Sequence, residues 1–284
     1  MDYSSQRKPD WLKTSLRRDD RYYETARLLK RKKMHTICTS GHCPNIGECW
    51  AAGTATFMIL GDICTRNCRF CNTKTGNPLP VDMEESRRLA ETVHEMKLRH
   101  CVITSVDRDD LHDGGAAHWA TTIEEVRKLN PDAGIEVLIP DFSGDKDAIA
   151  MIINARPDVC GHNLETVERL TPFIRSKASY RRSLEVIRIL SSAGLRTKSG
   201  IMLGLGETED EILKTMDDLL DAGCRILTLG QYLQPSPKHA EVVAWYEPRL
   251  FDNYRRIALE KGFQFAECGP LVRSSYHAEN HSVK

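Results

Sequence analysis

The chain has 284 residues, 40% of them hydrophobic and 28% charged, which supplies a sizeable core and argues against disorder. Forty basic and forty acidic side chains balance, so charge gives no reason to expect nucleic acid or an anionic membrane as partner. No stretch approaches the ~20 apolar residues of a membrane span, and Met1 to Lys13 is polar and charged with no apolar signal core, so a cytoplasmic protein is expected.

Residues 1–53 carry no strand–helix alternation. The basic run Arg27 to Lys33 ends a short helical stretch, and a loop rich in Gly, Pro and Asn follows. From Thr54 onward short apolar runs alternate with helical patterns. The runs are Thr56–Leu60, Cys101–Thr104, Ile135–Ile139, Asp158–Cys160, Ser199–Leu203 and Ile226–Leu229. They are continuous rather than alternating, as strands buried on both faces are. Between them, Leu89, Val93 and Met96 share one helical face, and Leu184, Ile187 and Leu190 another that stops at Gly194. Thr208 and Glu211 form a capping box ahead of Ile212, Met216 and Leu219, and Gly223 closes that helix. Six such units argue an α/β fold: a partial (βα)6 TIM-type barrel over residues 54–240 with right-handed crossovers. An N-terminal extension, 1–53, and a C-terminal helix and tail, 241–284, are expected to cover its open side. The tail reads as a helix from Tyr246 to about Lys261 and then a short strand.

Six of the ten cysteines fall between Cys38 and Cys71. In a reducing compartment dense cysteine points to metal or catalysis. Cys64, Cys68 and Cys71 have the spacing C-x3-C-x2-C, on the loop after the first barrel strand, where barrel enzymes place their chemistry. Three thiolates ligate three irons of a cubane and leave the fourth open to an exogenous ligand, whereas ferredoxin-type sites add a fourth cysteine. Zinc prefers paired C-x2-C units or Cys/His mixtures, which this spacing fits poorly. Cys38, Cys43 and Cys49 form a second group, C-x4-C-x5-C, again one ligand short. His42 is either that ligand or a loop residue. Cys101, Cys160, Cys224 and Cys268 read as small buried hydrophobes.

The C-x3-C-x2-C motif, with Phe70 directly before the last cysteine, resembles the signature of the radical S-adenosylmethionine superfamily. Ser199-Gly-Ile-Met-Leu-Gly-Leu-Gly-Glu207 looks like the glycine-containing fifth-strand motif that packs on the adenine there. The pair of triads in this order resembles lipoyl synthases. So do Ile103-Thr-Ser-Val-Asp-Arg-Asp-Asp-Leu111, His162-Asn-Leu-Glu165, Leu229-Gly-Gln-Tyr-Leu-Gln-Pro-Ser236 and Gly269-Pro-Leu-Val-Arg-Ser-Ser-Tyr276. The likeness runs from roughly Lys8 to Glu279, with a departure at Gly161, where many members carry Asn.

The resemblance implies two 4Fe–4S clusters. Cys64, Cys68 and Cys71 would hold the one that binds S-adenosylmethionine and generates a 5′-deoxyadenosyl radical. Cys38, Cys43 and Cys49 would hold an auxiliary cluster, its fourth iron bound by Ser274 or Ser275, of which Ser275 is preferred. Phe70 is an expected cofactor-binding residue, and Asn163 and Glu165, at the end of the fourth strand, either bind the ribose or methionine part of S-adenosylmethionine or cap a helix start. The implied reaction inserts two sulfur atoms at C6 and C8 of an octanoyl-lysine group on a carrier protein, and the auxiliary cluster is consumed as the donor. Acid–base catalysis has no purchase on a bare alkyl chain. The implied partners are the octanoylated carrier domain of a dehydrogenase E2 subunit or glycine cleavage H protein, a low-potential donor such as ferredoxin or flavodoxin, and a cluster-repair carrier. Asp107, Arg108 and Asp109 either line the site or form a local ion-pair network. Lys30 to Lys33 either docks an acidic carrier or is a solvated face.

Overall fold

Strand and helix alternate along the chain in the computed structural model, which describes residues 8–14 and 19–281. The expectation for Met1–Arg7 lies outside the described residues. The backbone forms two compact units. Among the described residues one comprises 14, 19–66, 72–160 and 277–281, and the other 8–13, 67–71 and 161–276.

The first unit opens with helix α1 (Asp20–Arg31), strand β1 (His35–Thr36) and two short helices, α2 (Ile37–Ser40) and α3 (Ile46–Ala51). Strand β2 (Thr56–Ile59) leads into a small parallel pair, β3 (Ile63–Cys64) with β4 (Lys74–Thr75). Then come α4 (Glu85–Glu95), β5 (His100–Ser105), α5 (Ala116–Leu129), β6 (Gly134–Leu138), α6 (Lys146–Ala155) and β7 (Val159–Gly161), whose last residue is counted with the other unit. The sheet order is β1-β2-β5-β6-β7. Pairings β2–β5 and β5–β6 are parallel, and β1 is antiparallel on β2 with His35 opposite Met58. All four residues of β2 are buried, as a strand covered on both faces requires. Helix α4 turns Leu89 and Val93 inward, α5 turns Trp119, Ile123 and Val126, and each packs on the next helix along. Ser86 and Thr122 join α4 to α5 through their hydroxyls at 2.7 Å, so these two buried polar groups satisfy each other.

In the second unit α7 (Thr171–Ile174), α8 (Tyr180–Ser192), β8 (Thr197–Leu203), α9 (Glu209–Asp221), β9 (Ile226–Gln231), α10 (Pro248–Lys261) and β10 (Phe265–Gly269) follow in order. Strands run β8-β9-β10, all parallel. Ile187, Leu203, Met216, Leu229 and Phe251 form its buried core. The capping box stands as expected: Thr208 Oγ1 accepts the Glu211 N–H at 3.3 Å and Glu211 Oε2 accepts the Thr208 N–H at 2.8 Å.

All six expected barrel strands are present, with ends displaced by one or two residues. Two differences have physical causes. Leu60 leaves the first strand because its backbone is left-handed, with φ 67°. The first cysteine group is not simply a loop: Cys38 lies in α2 and Cys49 in α3. Each helix is too short to show a 3.6-residue period, so the sequence hides them.

Candidate cluster and radical site

The first triad is built by short-range backbone chemistry in the first unit. Thr36 caps α2 by accepting the Thr39 N–H at 3.3 Å, and Cys38 is buried beneath it. Exposed His42, with φ 49°, reverses the chain, and the Cys43 N–H then donates to the Cys38 carbonyl at 3.0 Å. Within α3 the Cys49 N–H donates to the Asn45 carbonyl at 2.9 Å. Burial pushes the Cys38 thiol up, and the charge of Cys43 adds to it. Cys49 is pushed up to about 12, first by burial and then by the charges of Cys38 and Cys43. These thiols feel one another as charges. A cation held among them would favour their thiolate forms, and cluster irons would supply it.

The second triad is divided between the units. Cys64 belongs to the first, where its buried Sγ accepts the backbone N–H groups of Arg66 at 3.4 Å and Asp107 at 3.3 Å. Two N–H donors aimed at one sulfur suit a thiolate ligand. Cys68 and Cys71 belong to the second unit. There the Cys71 N–H donates to the Cys68 carbonyl at 3.1 Å, and the Cys71 carbonyl faces His239 Nε2 at 3.1 Å. The Asn67 N–H donates to Ser176 Oγ at 3.2 Å, and the Arg69 N–H to the Ile174 carbonyl at 2.8 Å. Phe70 packs against a cluster that includes Leu170, Ile174 and Tyr232. The loop is thus pinned by backbone atoms and one aromatic ring.

Arg66, inside the motif, is 5% exposed and ion-paired with Asp107, Asp109 and Asp141. Burial opposes its charge, but hydrogen bonds to Asp109 and the charges of Asp107 and Asp141 win, so its pKa is raised. Arg108 holds Asp110 through two bonds of 2.9 Å. The ion-pair reading of Asp107, Arg108 and Asp109 is therefore realised. The same residues also line a polar cavity of about 370 Å³ at the C-terminal ends of β5 and β6, with Asp113, Phe142 and Ser143. The basic run is partly neutralised within the unit, since Arg31 pairs with Glu95 and Lys32 with Glu91 at 3.2 Å.

In the second unit Asn163 is 7% exposed. Its Nδ2 donates to Glu165 Oε1 at 3.0 Å and to Ser274 Oγ at 2.6 Å, while Oδ1 is buried without a partner among the described residues. Glu165 has φ 67°; burial raises its pKa against the opposing pull of Arg175 and Asn163. Ser274 is thus engaged. Ser275 follows it in a tight turn in which the Tyr276 N–H donates to the Arg273 carbonyl at 2.9 Å. After β8, left-handed Gly204 and Gly206 let Glu207 accept the backbone N–H groups of Gly204 at 2.5 Å and Leu205 at 2.9 Å. Gly230 is needed for close approach: a Cβ there would lie 2.2 Å from the Val272 carbonyl oxygen, just before the Arg-Ser-Ser-Tyr segment.

Sequence reasoning overlooked the contacts of Asp141, Ser176 and His239. Each lies far along the chain from the cysteines, and none carries a spacing signal. Arg66 was findable, since it stands inside the motif.

Parallel strands with helical connections and a cysteine triad on the first βα loop define a radical S-adenosylmethionine protein. Residues 58–219 match the family model described as the radical SAM superfamily. Among solved structures, SuiB of Streptococcus suis bound to S-adenosylmethionine superposes with TM-score 0.60 at 9% identity, over 74% of this chain and 49% of that one. This chain thus spans about half the length of SuiB. Methylornithine synthase, PylB, gives 0.55 at 12% identity, over 75% and 70%. These likenesses establish the partial-barrel α/β fold. Curated relatives named lipoyl synthase are far more similar: 58% identical from Bacteroides fragilis, over 97% of this chain and 96% of the relative. Those from Phocaeicola vulgatus, at 57% over 97% and 97%, and Treponema denticola, at 56% over 98% and 96%, agree. The chain belongs to the lipoyl synthase family.

Members use S-adenosylmethionine and two 4Fe–4S clusters, and this chain supplies both triads. Among the described residues no group of three or more His, Cys, Asp or Glu side chains is arranged to hold a metal ion. The fit rests on the donor set: three thiols grouped on α2, the turn after it and α3, two backbone N–H donors on Cys64 Sγ, and, for S-adenosylmethionine, the buried and unpartnered Asn163 Oδ1.

Proposed function

We propose that the chain is a lipoyl synthase that inserts two sulfur atoms, at C6 and C8, into an octanoyl group amide-linked to a lysine of a lipoyl carrier protein. The observation that carries this reading is the ordered pair of triads in a chain 58% identical over 97% of its length to a curated lipoyl synthase. When bound, the cluster on Cys64, Cys68 and Cys71 supplies the electron that splits S-adenosylmethionine into a hydrogen-abstracting radical. The sulfur substrate is the auxiliary cluster on Cys38, Cys43 and Cys49.

The chain's own residues hold and orient. Backbone N–H groups of Arg66 and Asp107 steady the Cys64 sulfur. The orphaned Asn163 Oδ1 and the Glu165 carboxyl oxygens, one of which accepts from Asn163 Nδ2, are acceptors for the hydroxyl or ammonium groups of S-adenosylmethionine. Ser275 is the oxygen ligand of the auxiliary cluster. A hard oxygen on a soft site binds more weakly than thiolate, which suits a cluster that must be dismantled.

Residues 1–53 carry the auxiliary triad, 54–240 the radical barrel and 241–284 the Arg-Ser-Ser-Tyr segment. The carrier is the E2 or H-protein type. The electron comes from a ferredoxin or flavodoxin, and a separate carrier rebuilds the spent cluster. Cysteines free of disulfides and described helices too short and polar to cross a membrane accord with a cytoplasmic setting.

The test is anaerobic. Reconstituted protein is incubated with an octanoyl-lysyl peptide, S-adenosylmethionine and a strong reductant, and the peptide is weighed by mass spectrometry. A lipoyl peptide is expected. Formation of 5′-deoxyadenosine without sulfur insertion would keep the radical class and reject the substrate.

A further inference from the structure

The turn that delivers the cluster loop is conformationally unusual. Leu60, the residue after β2, is 3% exposed and left-handed at φ 67°, and Gly61 follows at φ 90°. Leucine has no local reason to adopt this backbone, because its Cβ crowds the carbonyl there. Both polar groups of the residue are held by distant side chains. Its N–H donates to Glu85 Oε2 at 2.7 Å, and its carbonyl accepts from Arg108 Nη1 at 3.3 Å. Glu85 lies at the start of α4 and is 4% exposed. His118, one turn into α5, places Nε2 2.9 Å from the same Glu85 oxygen. Gly115 makes that approach possible, since a Cβ there would stand 2.5 Å from Leu60 Cδ1.

We propose that Glu85, steadied by His118, and Arg108 are positioning residues that clamp the Leu60 peptide and so set the hydrogen bonds received by Cys64 Sγ. Two connections carry this. Cys64 stands four residues after Leu60, so the clamped peptide fixes where the cluster loop departs. Arg108 directly follows Asp107, whose N–H donates to Cys64 Sγ. The Arg108–Leu60 bond therefore ties together the loop that bears the thiolate and the donor that faces it. A buried carboxylate is a poor device for stability alone, because its desolvation consumes most of what its partners return. Here its oxygen goes to a strained backbone amide at the root of a ligand loop, which gives it a positional task.

Hydrogen bonds to cluster sulfurs help set reduction potential, and losing one makes reduction harder. The inference rests on the lipoyl synthase reading, under which Cys64 serves the cluster that binds S-adenosylmethionine. Redox titration of the reconstituted full chain is followed through the electron paramagnetic resonance signal that changes when S-adenosylmethionine is added. Glu85→Ala is expected to shift that cluster to a more negative potential and leave the auxiliary cluster unmoved. Glu85→Gln, which keeps an acceptor for the Leu60 N–H, should restore the original value. Arg108→Lys keeps a cation beside Asp110 but not the reach to the Leu60 carbonyl, and should shift the potential in the same direction. If Glu85→Ala does not fold, Arg108→Lys decides alone. An unchanged potential in the folded variants, or an equal shift of both clusters, overturns the clamp. Absence of any S-adenosylmethionine-responsive signal in the unaltered chain overturns the functional reading instead.

Discussion

The two serines of the Arg-Ser-Ser-Tyr segment are proposed to have different roles. Ser274 Oγ accepts a 2.6 Å hydrogen bond from Asn163 Nδ2. Ser275 is the residue assigned to the auxiliary cluster. Ser275→Ala should therefore abolish lipoyl product while 5′-deoxyadenosine still forms. Ser274→Ala removes an acceptor worth about 1 kcal/mol of stability and should retain product. Quantifying lipoyl peptide and 5′-deoxyadenosine in both variants separates them. Product surviving in Ser275→Ala but not in Ser274→Ala would reverse the assignment. Arg66 shows a different residue-scale logic. One buried guanidinium, two residues after Cys64, meets three carboxylates that follow β5 and β6.

At the level of elements, α9 shows how a helix is anchored next to a glycine loop. Its capping box satisfies two otherwise orphaned groups, and Thr208→Ala should cost about 1 kcal/mol. Glu211 also carries a two-point bond to Arg169, at 2.7 and 2.9 Å, which with the Thr208 contacts lowers its pKa to about 2. A depressed carboxylate stabilises the fold above its unfolded value, ~4.3. That contribution fades as pH falls from there through about 2. Arg169 is solvent-exposed, so screening keeps the contribution of the pair small. Chemical denaturation of the unaltered chain and Glu211→Gln at pH 7 and pH 3 measures this. The difference in stability should shrink at the lower pH, and a constant difference would contradict the pairing.

For the molecule as a whole, chemistry carried by local spacing was legible and chemistry carried by long-range contact was not. The strand runs showed themselves because burial on both faces makes them continuously apolar, as with the four buried residues of β2. The six clustered cysteines stood out by their spacing. Helices α2 and α3 escaped because they are shorter than two turns of pattern. The edge strand β1 escaped because two residues carry no period. The carboxylate that meets Leu60 comes from 25 residues away and the guanidinium from 48, and no local pattern announces either. Buried charges of this kind are read from geometry, since composition counts them with the solvated ones.

The central claim is a division of labour between the triads. Its most direct test is one anaerobic assay of two variants, counting 5′-deoxyadenosine and lipoyl peptide together. Cys68→Ala should yield neither product, because the radical is never made. Cys43→Ala should still release 5′-deoxyadenosine while forming no lipoyl peptide, because the sulfur donor is missing. If the two variants lose both products alike, or if Cys43→Ala still inserts sulfur, the division of labour is wrong.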